Sequence, residues 1–122
     1  MSLKRLYPGK RMSQAVMRGN AVYLAGQVAD KKAGASVAEQ TAEILAQIDS
    51  LLAEAGTDKT QIMMATIYLA DIATFAEMNS EWDKWVVEGE PPARATVEAK
   101  LVAPEYKVEI AIIAAANKHS HE

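Results

Sequence analysis

Two stretches of this chain are apolar or small on both of their alternating sets. In residues 61–69, Ile62, Met64, Thr66 and Tyr68 make one set, and Met63, Ala65, Ile67 and Leu69 the other. Residues 108–114 read the same way apart from Glu109. A strand with two apolar sides is covered on both faces. The sequence supplies two helices to do the covering. The first starts at the capping-box spacing Ser36 to Glu39. Its Val37, Ile44, Ile48, Leu51, Leu52 and Ala55 recur at helical spacing, Glu39, Glu43, Gln47, Ser50 and Glu54 take the polar side, and Gly56 stops it. The second follows the same spacing at Thr74 and Glu77, with Phe75, Met78, Trp82, Trp85 and Val86 in one stripe ending before Gly89. Two helices cover one face of a sheet. The other face is then an association surface, resolved most simply by a homo-oligomer whose sheet faces or edges pack together. Clefts between copies become natural ligand sites.

The remaining elements fit that frame. Residues 1–11 read as irregular, with Tyr7-Pro8-Gly9 as a turn, and Lys4, Arg5, Lys10 and Arg11 as a solvated basic arm. Residues 12–17 make a short strand, Arg18-Gly19-Asn20 a hairpin loop and residues 21–28 a second strand. Gly26 inside that strand signals a bulge or a close approach of the backbone. Residues 91–99 begin with Pro91-Pro92, a rigid extended lead, and then alternate: Arg94, Thr96 and Glu98 on one side, Ala93, Ala95, Val97 and Ala99 on the other. The order is strand, strand, helix, strand, helix, strand, strand, an α+β domain with two helices on one face of a single sheet.

At 122 residues the chain reads as one domain, residues 1–122. It has no cysteine, which excludes disulfides, thiolate catalysis and cysteine-ligated metals. No apolar run marks a signal peptide or membrane span, so the cytoplasm is the expected compartment. A net charge of −3 argues against binding along phosphate backbones. His119 and His121 lie in a polar tail and are not read as metal ligands, and no cofactor is expected.

Two residues carry the candidate chemistry. Arg94, near the start of a strand with small neighbours, is a planar fork of donors suited to gripping a carboxylate in two places; the competing reading is a surface arginine. Glu109 shares a strand face with Ala111 and Ile113, where burial raises a carboxyl pKa toward the range useful for proton transfer. The alternative is a rim glutamate paired with Lys107.

A family resemblance then emerges. Gly19-Asn20-Ala21-Val22-Tyr23-Leu24-Ala25-Gly26-Gln27, Gln40-Thr41, Ala55-Gly56, Phe75-Ala76-Glu77-Met78-Asn79, Pro92-Ala93-Arg94-Ala95-Thr96-Val97, and Val108-Glu109-Ile110 with Ile113-Ala114 resemble, in that order and spacing, the RidA/YjgF/UK114 family of reactive-intermediate deaminases. The match runs from about Met12 to Ala114. It implies a chorismate-mutase-like fold, a homotrimer with sites between subunits, and cofactor-independent hydrolysis of enamines and imines such as 2-aminoacrylate to 2-oxo acids and ammonia. By the same match Arg94 takes the substrate carboxylate and Glu109 handles the attacking water and leaving ammonia. Gly26 falls at a glycine whose backbone lines the pocket, and Asn79 at an asparagine near it. The chain departs from the best-known members at Met12, where they often have a tyrosine, and at Thr96, where cysteine or serine is common. Both positions belong to the expected pocket wall. The segment from Asn79 to Arg94 is also about two residues shorter. Retention of the fold for binding a small carboxylate without turnover is the alternative. The translation-inhibitor or endoribonuclease role of some relatives fits the acidic chain less well, since it shows no basic stripe with interleaved aromatics.

Overall fold

The computed structural model describes residues 2–116. Six strands form one sheet: β1 (Lys4–Leu6), β2 (Ala15–Arg18), β3 (Ala21–Gln27), β4 (Ile62–Leu69), β5 (Ala93–Glu98) and β6 (Val108–Ala115). Their spatial order is β1-β2-β3-β6-β4-β5, with only the β4–β5 pair parallel. Helix α1 (Val37–Glu54) connects β3 to β4, and α2 (Phe75–Trp85) connects β4 to β5. This is the α+β sheet with two helices that the pattern predicts.

Helix α1 forms for the reasons its sequence states. Ser36 accepts from the Glu39 amide at its start, and Val37, Ile44, Leu45, Ile48, Leu51 and Leu52 are buried. It ends as Gly56 takes φ +83°, while the Gly56 and Thr57 amides donate to the Ala53 and Leu52 carbonyls. The apolar side of α1 meets one face of the sheet, where Val22, Leu24, Ala65, Ile67, Leu69, Val108, Ile110, Ile112 and Ala114 are buried. On the opposite face Tyr23, Met64, Thr66, Tyr68, Val97, Glu109, Ala111 and Ile113 are half-buried or exposed. The described residues cover one face of the sheet and leave the other open.

Four local expectations are corrected. Residues 4–6 are not part of an arm but an edge strand, paired through Lys4↔Met17 and Leu6↔Ala15. The hairpin's first strand begins at Ala15, so Met12 precedes it. The strict alternation over residues 61–69 fails at Met63, where an extra residue shifts the register between Ile62 and Met64. Ile62 is therefore buried with Ala65, Ile67 and Leu69 rather than sharing a side with Met64. Finally, Thr74 precedes α2 without capping it: its hydroxyl donates to Asp71, and the Glu77 carboxylate accepts from the Ala38 amide of α1. The capping-box spacing is used to tie two helices together.

Candidate functional site

Arg94 stands on β5, the strand at the sheet's edge, after the rigid Pro91-Pro92 lead. Its register partner is Ala65, a residue of the helix-covered face, so its side chain turns toward α2. There Nη1 donates to Asn79 Oδ1 at 2.7 Å. The guanidinium lies 5.1 Å from the Trp82 ring centroid and 5.6 Å from that of Phe75. Phe75, Asn79 and Trp82 share one helix face because they are spaced by four and three residues. The ion pair found among the described residues is Lys84 with Glu81, and no carboxylate meets Arg94. The arginine is thus a half-buried cation held by a neutral acceptor and two rings, with donors to spare. Two residues along on the same side, the Thr96 hydroxyl is buried and makes no hydrogen bond among the described residues.

Glu109 sits on the other face. Its register partner is Tyr68, which in turn pairs with Val97, and all three belong to the open side. The carboxylate is half-buried, and among the described residues it has neither a hydrogen bond nor the ion pair with Lys107 that its position permits. Gly26 faces it across the β3–β6 pair, where the register slips between Leu24 and Gln27. The bulge expected at Gly26 is there.

Gly26 also borders a cleft of about 500 Å³ that includes Met12, Tyr7, Gln14, Gln27, Asp30, Gln47 and Glu54. A ladder of amides lines it: Gln27 Nε2 donates to Gln14 Oε1 at 3.0 Å, and Gln47 Nε2 donates to Gln27 Oε1 at 3.1 Å. The Tyr7 hydroxyl donates to Glu54, and that bond raises the phenol pKa above its usual 10.0. Tyr7, Gln14 and Gln47 were not legible as cleft residues, since Tyr7 lies in a turn and Gln47 reads as the polar side of a helix.

The expected site residues therefore fall into two groups. Arg94, Asn79 and Thr96 gather at the β5 edge beside α2. Gly26 and Glu109 gather on the open face, with Met12 joined to them through the cleft. Two strand spacings and three residues of offset separate Arg94 from Glu109, about 14 Å between backbones and on opposite sides of the sheet. One copy does not bring its arginine and its glutamate together. A separate cleft of about 700 Å³, bordered by Glu98, Lys100, Leu101, Val102 and Tyr106, contains none of the six. Among the described residues no group of three His, Cys, Asp or Glu could hold a metal ion, and His119 and His121 lie outside them. No helix there is long and apolar enough to cross a membrane.

Comparison with known proteins gives a consistent result. The family model described as Endoribonuclease L-PSP matches residues 2–116. A RutC family protein of Haemophilus influenzae is 46% identical over 114 residues, covering 93% of this chain and 98% of its own. The RutC family protein YoaB of Escherichia coli is 46% identical over 115 residues, with coverage of 94% and 99%. The crystal structure of a YjgF-family protein of Neisseria meningitidis superposes with a TM-score of 0.93 at 45% identity, covering 97% of this chain and 98% of that one.

Proposed function

The chain belongs to the RidA/YjgF/UK114 family, which includes the RutC proteins, and from that membership and the two half-sites we propose that it is a hydrolytic deaminase of reactive enamines and imines. Substrates of the 2-aminoacrylate type become 2-oxo acids and ammonia. The observation that carries this reading is Arg94: a half-buried guanidinium with no carboxylate partner among the described residues, fixed by Asn79 and two aromatic rings, is a ready anchor for a small acid. The open sheet face and the separation of Arg94 from Glu109 support a homotrimeric, chorismate-mutase-like assembly, in which the β5 edge of one copy meets Glu109 and Gly26 of the next.

The chemistry asks little more of the protein. With the carboxylate on Arg94, the imine carbon is already electrophilic. Glu109 of the neighbouring copy takes a proton from water as the C–O bond forms and the C=N electron pair moves to nitrogen. The same carboxyl returns that proton to nitrogen, which gives a neutral carbinolamine. It then carries the hydroxyl proton to the nitrogen as the C–N bond breaks and the C=O bond forms, so that ammonia leaves and the 2-oxo acid is complete. An enamine enters the sequence after one proton is added at carbon and one is lost from nitrogen, which yields the imine.

A non-catalytic carboxylate-binding protein is the second reading, favoured by Met12, whose thioether is no proton donor where relatives often carry a phenol. Supplying 2-aminoacrylate in place with a dehydratase separates the two. The expected result is faster appearance of 2-oxo acid with the wild-type protein and none of that acceleration with Arg94→Ala. An unaccelerated rate at saturating protein, with a 2-oxo acid still bound, establishes the binding reading instead. RNA cleavage by the same sample that survives further purification points to the activity for which the family model is described.

A further inference from the structure

The bulge in β3 sets two residues, Ala25 and Gly26, opposite Ala111 of β6, because Leu24 pairs with Ile112 and Gln27 with Ile110. Gly26 is not among the residues with positive φ, so its backbone conformation does not demand glycine. Space does. A methyl group there would lie 2.9 Å from the Glu109 carboxyl carbon and 3.2 Å from Cγ, and would overlap Oε2. The missing side chain and the carboxylate occupy one volume.

We propose that Gly26 is a positioning residue for Glu109: the absence of a side chain at the bulge gives the carboxylate its place against β3. Among the described residues Glu109 has no hydrogen-bond or ion-pair partner, so packing rather than bonding sets where the acid lies within one copy. The atoms a methyl would meet are the far end of a flexible side chain, not backbone. Adding the methyl therefore moves the acid and leaves the sheet in place. The functional consequence rests on the reading of Glu109 as proton carrier; the geometric one does not.

Two variants and their combination test this. Gly26→Ala should keep its unfolding midpoint within about 3 °C of wild type. Its kcat for imine hydrolysis should fall about 100-fold, with KM changed less than about threefold because the Arg94 anchor is untouched. Glu109→Asp withdraws the carboxylate by one methylene. Placed in the Gly26→Ala background, it should raise kcat about tenfold above Gly26→Ala alone, although it lowers kcat in the wild-type background. The crystal structure of Gly26→Ala should show the Glu109 carboxylate displaced by about 2 Å or more, with β3 and β6 still in register. That measurement needs no turnover, so it decides the proposal even for a protein that hydrolyses no imine. A carboxylate that stays where it is, or two substitutions whose effects simply multiply, overturns it.

Discussion

Arg94 owes its character to the neutrality of its partner. Asn79 accepts one hydrogen bond at 2.7 Å and brings no charge, so the cation is oriented but not neutralised. Asn79→Asp supplies the missing carboxylate at the same place. It should weaken binding of a 2-oxo acid by roughly tenfold, measured by titration calorimetry, while the unfolding midpoint holds or rises. Unchanged affinity would show that the acid binds elsewhere. Arg94→Lys keeps charge but loses the planar fork and its stacking on Phe75 and Trp82, and should bind about tenfold more weakly in the same titration. The strands that carry Gly26, Arg94, Thr96 and Glu109 were legible from sequence, as was the helix that carries Asn79, whereas Met12 precedes the strand expected to hold it. Which face each occupies was not. Alternation fixes the parity of Arg94 against Ala95 and of Glu109 against Ile110, but the phase of one strand against another comes from register. Register is a property of the assembled sheet.

Helix α1 was legible almost to its last residue because its stop is stereochemical. Gly56 at φ +83° has open space where a side chain would go, so Gly56→Ala tests conformation alone. It should cost about 1 kcal/mol in denaturant unfolding. Ile110→Ala removes a fully buried side chain at the centre of β6 and should cost about 3 kcal/mol by the same measurement. The loop between β5 and β6 is tied to the loop before α1 by the Tyr106 hydroxyl, which donates to Asp30 Oδ1 at 2.8 Å. That bond favours the neutral phenol and raises its pKa above 10.0. The folded chain then holds this proton more tightly than the unfolded one. The stabilisation is present below pH 10 and disappears as pH rises through the raised value. Wild type should unfold at a higher temperature than Tyr106→Phe at neutral pH, and the two midpoints should converge in alkali. Elements that escaped the sequence lacked such local chemistry. β1 is three residues, two of them charged, and exists through backbone pairing with β2. The bulge at Met63 interrupts a run in which every residue is apolar or small, so nothing in the run marks it.

The whole molecule is defined by what it leaves uncovered. Tyr23 and Val97 remain 50% and 44% exposed on the open face, beside Met64, Tyr68, Ala111 and Ile113. Ile113→Arg places a charge in that surface without touching Arg94 or Glu109. It should shift the protein toward single copies in sedimentation equilibrium, and imine hydrolysis should fall with assembly. A wild type that sediments as a single copy would remove the basis for a site shared between subunits. In the proposed trimer the arginine and the glutamate of one chain, on opposite sides of its sheet, would serve two different neighbours. Inactive proteins carrying Arg94→Ala and Glu109→Gln should therefore complement each other. Denatured together and refolded in equal amounts into rings of three, they should recover about a quarter of wild-type sites, since every mixed ring contains one junction where both intact groups meet.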